Sequence, residues 1–156
     1  MARERPFLVG VANLSKTGPR RERREGRSGD LEVSGSAVPA GAAVVADVLI
    51  EPVHGGIMAS GTVSAPWEGE CRRCLGPAVG RLEVEVRELY ESRSDGVETY
   101  SLTGDQLDLE PLARDAVLLE LPQAPLCSEG CQGLCPTCGA NLNDGPCGCE
   151  PDRTPD

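Results

Sequence analysis

Eight cysteines in 156 residues set the first limit on this chain: Cys71, Cys74, Cys127, Cys131, Cys135, Cys138, Cys147 and Cys149. Two pairs, Cys71-Arg-Arg-Cys74 and Cys135-Pro-Thr-Cys138, have C-x-x-C spacing. That spacing turns two thiolates toward one tetrahedral ion, at Zn–S distances of about 2.3 Å. Gly139 directly after Cys138, and Leu75-Gly76 after Cys74, give the tight turn of a zinc knuckle its backbone freedom. An even cysteine count also suits disulfides in a secreted chain. The opening MARERPFLVGVANLS, however, has no apolar stretch followed by a cleavage site. The expectation is therefore a cytoplasmic chain whose thiols stay reduced. No run approaches the ~18 apolar residues of a membrane span.

From Cys127 onward there is too little hydrophobe for a core, so the tail CSEGCQGLCPTCGANLNDGPCGC needs metal to be ordered. Two four-cysteine sites are the economical division. Cys135, Cys138, Cys147 and Cys149 read C-x-x-C-x8-C-x-C, a self-contained short zinc ribbon. Cys71, Cys74, Cys127 and Cys131 then form the second set, which closes a long loop. A competing division joins Cys127, Cys131, Cys135 and Cys138 and leaves Cys71 and Cys74 with Cys147 and Cys149. In either case four sulfurs fill a zinc ion's coordination, so no water is activated and the sites are structural. Two readings compete with zinc. A lone C-x-x-C can be a thiol–disulfide exchange pair, and sets of four cysteines can hold an iron–sulfur cluster, although the tail lacks the C-x2-C-x2-C run.

Ahead of the tail the pattern is that of a sheet. Val44, Ala46, Val48 and Ile50 share one parity; so do Ile57, Ala59, Gly61, Val63 and Ala65; and Leu82, Val84 and Val86 alternate with Glu83, Glu85 and Arg87. Three alternating segments between Gly/Pro breaks predict an antiparallel sheet with one solvated face. Gly55-Gly56 is the expected hairpin turn between the first two, and Cys71–Cys74 fall in the connection before the third. Residues 6–14 read as a short apolar strand. Residues 108–120 have helical period, with Asp108 as cap, Glu110 and Pro111 in the first turn, and Pro122 and Pro125 beyond the end. Leu109, Leu112, Ala113, Ala116, Leu119 and Glu120 form its mostly apolar stripe. The expected class is α+β: an antiparallel β-sheet, one packed helix and a C-terminal cysteine-rich zinc knuckle or ribbon. Residues 1–126 form the body, 127–150 the metal-binding tail packed on it, and 151–156 a disordered end.

Charge is divided unevenly. Residues 1–27 carry eight basic and three acidic groups, a net +5; the remainder carries seven basic and 22 acidic, a net −15. The body repels a phosphate backbone, while the first segment attracts one. Residues 16–30 read as an exposed, mobile loop, either a solvated charge run or an RNA contact through Arg20, Arg21, Arg23, Arg24 and Arg27. Catalytic apparatus is not visible. His54 is the single histidine and sits beside the glycine turn; there is no G-x-S-x-G, P-loop or G-x-G-x-x-G. Trp67, four residues before Cys71, reads as packing for the core or a zinc site, with base stacking as the other use. Asn141 and Asn143 read as turn residues.

The string Glu70-Cys71-Arg72-Arg73-Cys74-Leu75-Gly76-Pro77 resembles the C-x-R-C-L pattern, with a nearby proline, of the YceD family of large ribosomal RNA accumulation proteins. Leu107-Asp108-Leu109 ahead of a helix, Leu121-Pro122, Gly133-Leu134-Cys135-Pro136, Cys138-Gly139 and Asn141-Leu142-Asn143 continue the resemblance in order, over about residues 7–150. The resemblance implies a non-enzymatic bacterial protein, with plastid relatives, that supports accumulation or processing of large-subunit (23S) ribosomal RNA. It implies precursor large-subunit RNA or a basic ribosomal protein as partner, with no membrane and no small-molecule substrate. The alternatives from other classes are a thiol–disulfide redox protein and a zinc-dependent nucleic-acid-binding regulator. The −15 body argues against the regulator, as does a helix whose only basic residue is Arg114.

Overall fold

The computed structural model describes residues 4–149. Its elements in chain order are β1 (Leu8–Gly10), α1 (Leu14–Thr17), β2 (Arg20–Gly26), β3 (Ser36–Ala37), β4 (Val44–Val53), β5 (Gly56–Glu70), β6 (Pro77–Glu91), β7 (Tyr100–Ser101), β8 (Gln106–Asp108), α2 (Glu110–Glu120) and a final 3-10 turn (Leu142–Asp144). The main sheet runs β2-β4-β5-β6-β7, with β3 pairing on β5; β1 and β8 make a separate two-stranded ribbon. All its pairings are antiparallel except the short β6–β7 contact. The expected α+β class is therefore present.

The three alternating segments are β4, β5 and β6. Their shared-parity residues make the buried face: Val44, Ala46, Val48, Ile50, Ala59, Val63 and Ala65 are all 1% exposed or less. The opposite parity meets solvent, so each strand carries one wet and one dry face. β4 and β5 join through a two-residue turn at His54-Gly55, with Val53 paired to Gly56. The turn thus lies one residue before the expected Gly55-Gly56. Gly55 takes the positive φ, 87°, and Gly56 is free to enter the ladder.

Helix α2 covers the dry face with Leu112, Ala113, Ala116 and Val117. The N-cap is Leu109, one residue after the expected Asp108, but the Asp108 carboxylate still serves the helix start: the Glu110 N–H donates to Asp108 Oδ1 at 2.9 Å. The apolar stripe needs correction at its C-terminal end. Leu119 is 87% exposed, and Val117 is buried in its place. At about 100° per residue, Leu119 falls at the edge of the buried arc rather than inside it. Phe7, Val9, Leu14, Leu107, Leu109 and Leu121 close the rest of the core. Tyr90, 1% exposed, donates its hydroxyl to the Asp108 carbonyl at 2.9 Å, which ties β6 to the end of β8.

The expectation that fails is the basic loop over 16–30. Its centre is β2, paired with β4 over seven residues from Arg20↔Ile50 to Gly26↔Val44. Alternation of apolar and polar residues could not reveal this strand, because RRERREG has no apolar side chain and carries its two acids three positions apart. Glu22 lies between Arg20 at 2.6 Å and Arg24 at 2.9 Å, while Asp47 of β4 takes Arg21 through two bonds of 2.8 and 3.0 Å. Charges on an outermost strand also discourage edge-to-edge association. The end at 151–156 lies outside the described residues. Among the described residues, no helix is long and apolar enough to cross a membrane.

Candidate metal centres

The fold gathers the eight thiols into two quartets. Cys71 and Cys74, in the β5–β6 connection, meet Cys127 and Cys131, which follow α2. Cys135, Cys138, Cys147 and Cys149 make the second group. In each quartet the sulfurs all lie within 4.8 Å of one another. Cys71 to Cys131 and Cys74 to Cys127 are both 3.7 Å, Sγ to Sγ. A tetrahedral ion with Zn–S bonds of about 2.3 Å sets its sulfurs roughly 3.8 Å apart. Among the described residues all eight cysteines are free thiols.

Both C-x-x-C pairs adopt the same knuckle. The first cysteine's carbonyl accepts from the residue four along, and its N–H donates to the carbonyl five along. The distances are Leu75 N to Cys71 O 2.9 Å and Cys71 N to Gly76 O 2.8 Å, then Gly139 N to Cys135 O 2.8 Å and Cys135 N to Ala140 O 2.8 Å. The fourth position has positive φ in each, 74° at Gly139 and 62° at Leu75. Leu75 is the only non-glycine residue there among those described, and it accepts a conformation that costs a side-chain-bearing residue roughly 1 kcal/mol or more.

Electrostatics inside the quartets fit a cation. The Cys74 N–H, helped by those of Cys127 and Arg73, brings Cys71 down to about 6. The Cys138 and Thr137 N–H groups do the same for Cys135, also to about 6. Conversely, sharing protons with Cys131 and Cys74 pushes Cys127 up to about 12. Cys149, crowded first by Cys138 and then by Cys147, also rises to about 12. Without an ion, Cys71 and Cys135 favour the thiolate while Cys127 and Cys149 hold their protons. One dication relieves that crowding, and an all-sulfur tetrahedral donor set suits zinc or iron.

The two quartets differ in depth. Cys71, Cys74 and Cys131 are 0%, 9% and 4% exposed and form a small core with Ala78, against which Trp67, Leu126 and Leu134 pack. Trp67 therefore packs as expected, against both the main core and this quartet. The other group is shallower, with only Cys135 buried. Three positioning contacts had no sequence signal strong enough to read. Arg73, between the first two cysteines, donates to the carbonyls of Glu129 at 3.3 Å and Cys131 at 3.2 Å. The Arg72 N–H donates to the Pro125 carbonyl at 2.9 Å. Asn143, in the loop between Cys138 and Cys147, reaches the other quartet: its Nδ2 donates to Cys131 Sγ at 3.2 Å. The Gln132 N–H, donating to Asn143 Oδ1 at 2.8 Å, fixes which end of that amide faces the sulfur. Asn141 keeps the turn role, accepting from the Asn143 N–H at 2.9 Å.

The remaining candidates lie apart. His54 is exposed in the β4–β5 turn. Arg20, Arg21, Arg23 and Arg24 lie on β2 beside Glu22, Asp47 and Glu25. Arg27 is exposed and, among the described residues, makes no ion pair. Arg114 donates to the Ser28 carbonyl and is not presented outward for a nucleic-acid groove.

A mostly antiparallel sheet packed against α2, with two four-cysteine groups at and beyond the β5–β6 connection that could each hold a metal ion, defines a small α+β protein. The family profile described as large ribosomal RNA subunit accumulation protein YceD matches residues 59–156, and the chain belongs to that family. Uncharacterized mycobacterial proteins are similar to it. One from Mycobacterium tuberculosis is 41% identical over 117 residues, covering 70% of this chain and 56% of its own. One from Mycobacterium leprae is 37% identical over 109 residues, covering 65% and 50%. A Zea mays protein named large ribosomal RNA subunit accumulation protein YCED homolog 1, chloroplastic, is 43% identical over 47 residues, covering 30% of this chain and 16% of its own. The chain spans about half the length of the mycobacterial relatives it matches. No solved structure matches it.

Proposed function

We propose that this chain is a non-enzymatic ribosome biogenesis factor of the bacterial cytoplasm, stapled by two zinc ions, that supports accumulation and processing of the large-subunit (23S) ribosomal RNA. The family match carries this reading, since residues 59–156 contain both cysteine quartets. Zinc would be held by Cys71, Cys74, Cys127 and Cys131 in one centre and by Cys135, Cys138, Cys147 and Cys149 in the other. Bound there, it supplies structure: four sulfurs leave no position for water. The burial of Cys71 and Cys74 speaks against the thiol–disulfide alternative, because an exchange thiol has to be reached by its substrate. The ion pairs of β2 weigh against RNA held by Arg20, Arg21, Arg23 and Arg24, and the net −15 of residues 28–156 suits a basic ribosomal protein as partner. Arg27, which makes no ion pair among the described residues, offers its guanidinium for phosphate.

The test is a sucrose gradient of lysate from cells expressing a tagged copy, at low and high salt, probed for the tag and for precursor large-subunit RNA. Co-migration with large-subunit precursors is expected. A chain confined to the top of the gradient at both salts overturns association with large-subunit precursors and favours a free partner of a ribosomal protein or a thiol role, between which zinc stoichiometry decides.

Asn143 provides a finer test of the centres. A group that hydrogen-bonds a metal ligand is typically worth 10–100-fold in metal affinity. Asn143→Ala is expected to weaken zinc binding at the Cys71 quartet by about that factor. Chelator competition reads it, with fluorescence of Trp67, the single tryptophan, as the signal for that centre. An unchanged affinity removes Asn143 from the role.

A further inference from the structure

We propose that the groove between α2 and β6 is a docking site for a protein segment that carries lysines or arginines spaced by aliphatic residues. The observation is a coincidence of shape, exposure and charge sign. The groove floor is Val84, Val86 and Ala116, and its far wall is the 96–100 segment ahead of and into β7. Val97 and Leu119, at 86% and 87%, are the two most exposed large apolar residues described, and both line this one groove. A single exposed apolar side chain needs no explanation; two lining the same cleft form a patch. Around them stand Glu88, Glu98, Asp115 and Glu120, and among the described residues no Lys, Arg or His lines the groove.

The wall is held in place. Tyr100 donates its hydroxyl to Asp115 Oδ2 at 2.7 Å and stacks on Tyr90 with ring centroids 5.2 Å apart. Asp115 is therefore engaged, which leaves Glu88, Glu98 and Glu120 for an incoming cation. Lysine and arginine match such a cleft, since their aliphatic stems lie on apolar surface while the charged heads reach the rim. The sign of the rim excludes a phosphate backbone, which would meet like charge on both sides. The inference deepens the protein-binding arm of the proposed function and takes its biological setting from that reading. The groove itself shares no residue with the cysteine quartets.

The probe is a fluorescein-labelled twelve-residue peptide of alternating lysine and leucine, titrated into the full zinc-loaded chain at several salt concentrations. A lysine–serine peptide of the same charge and a single-stranded oligouridine are the controls. The lysine–leucine peptide is expected to bind at least tenfold more tightly than either. Backbone amide shifts are expected to cluster at residues 84–88, 96–100 and 115–120. Val97→Ser with Leu119→Ser should weaken binding at least tenfold with zinc content and circular dichroism unchanged, because both side chains already face solvent. Glu88→Gln, Glu98→Gln and Glu120→Gln together should weaken it similarly and flatten its salt dependence. Equal binding of the lysine–serine peptide, shifts centred elsewhere, or oligouridine binding to the same residues overturns the proposal. So does self-association of the chain that Leu119→Ser abolishes. Peptide binding is measured on purified chain, so its failure leaves the gradient result standing, and a failed gradient leaves the groove standing.

Discussion

Cys71→Ser is expected to remove one of two zinc ions per chain and about 3–4 kcal/mol of stability, roughly a quarter of the 10–16 kcal/mol that a structural zinc site contributes. At about 2–4 °C per kcal/mol for a chain of this size, the melting midpoint falls by roughly 10 °C. The effect is large because of where Cys71 lies. It is fully buried, and its quartet joins the β5–β6 connection to the segment after α2 across 60 residues of sequence, from Cys71 to Cys131. Losing one ligand leaves Cys74 and Cys131 as buried sulfurs without their ion. The substituted hydroxyl also inherits a Cys74 N–H aimed at a sulfur position. Metal content by mass spectrometry and a thermal melt followed at Trp67 check both halves. Cys147→Ser is the contrast: it also loses one ion, but the signal of Trp67, which packs on the other quartet, stays as it was. A Cys71→Ser chain that keeps both ions removes Cys71 as a ligand.

Gly61→Ala is expected to cost about 2–3 kcal/mol, near the top of the usual range for forcing extra volume into a packed core. Gly61 lies where β4, β5 and β6 are all in register, opposite Val48 on one side and Val86 on the other. A Cβ there would sit 2.8 Å from Val48 Cα and closer still to the Asp47 carbonyl oxygen. Both obstacles are backbone, so neither can rotate away, and β4 has to move. Asp47 moves with it, and so does the carboxylate that holds Arg21. Urea denaturation measures the loss as a lower midpoint at unchanged slope. A midpoint equivalent to the parent within about 0.5 kcal/mol would show that the strands accommodate the methyl group.

These two positions also mark how far sequence reasoning reaches. Gly61 was legible as an inner-face residue, because strand parity is a local property with a period of two. The backbone approach that makes it glycine was not, since it depends on how closely β4 lies against β5. Helix α2 was legible from Leu112 to Ala116 and misread at Leu119, where the periodic stripe and the surface beneath it part company. Strand β2 was hidden altogether. Its signal is not apolar alternation but the positions of Glu22 and, on another strand, Asp47.

What the sequence by itself determined was local: the strand parity of 44–51, 57–67 and 80–90, the helical period after Asp108, and two C-x-x-C knuckles whose spacing alone aims paired sulfurs. Each depends on residues within a few positions of one another, where backbone geometry leaves few choices. The tertiary structure decided that Cys71 shares a centre with Cys131, that Arg21 of β2 meets Asp47 of β4, and that Asn143 of one cysteine loop donates to a sulfur of the other quartet. These contacts join residues 12 to 60 positions apart. The path of the chain, set by burial of the sheet's dry face, brings them together, and no local spacing encodes it.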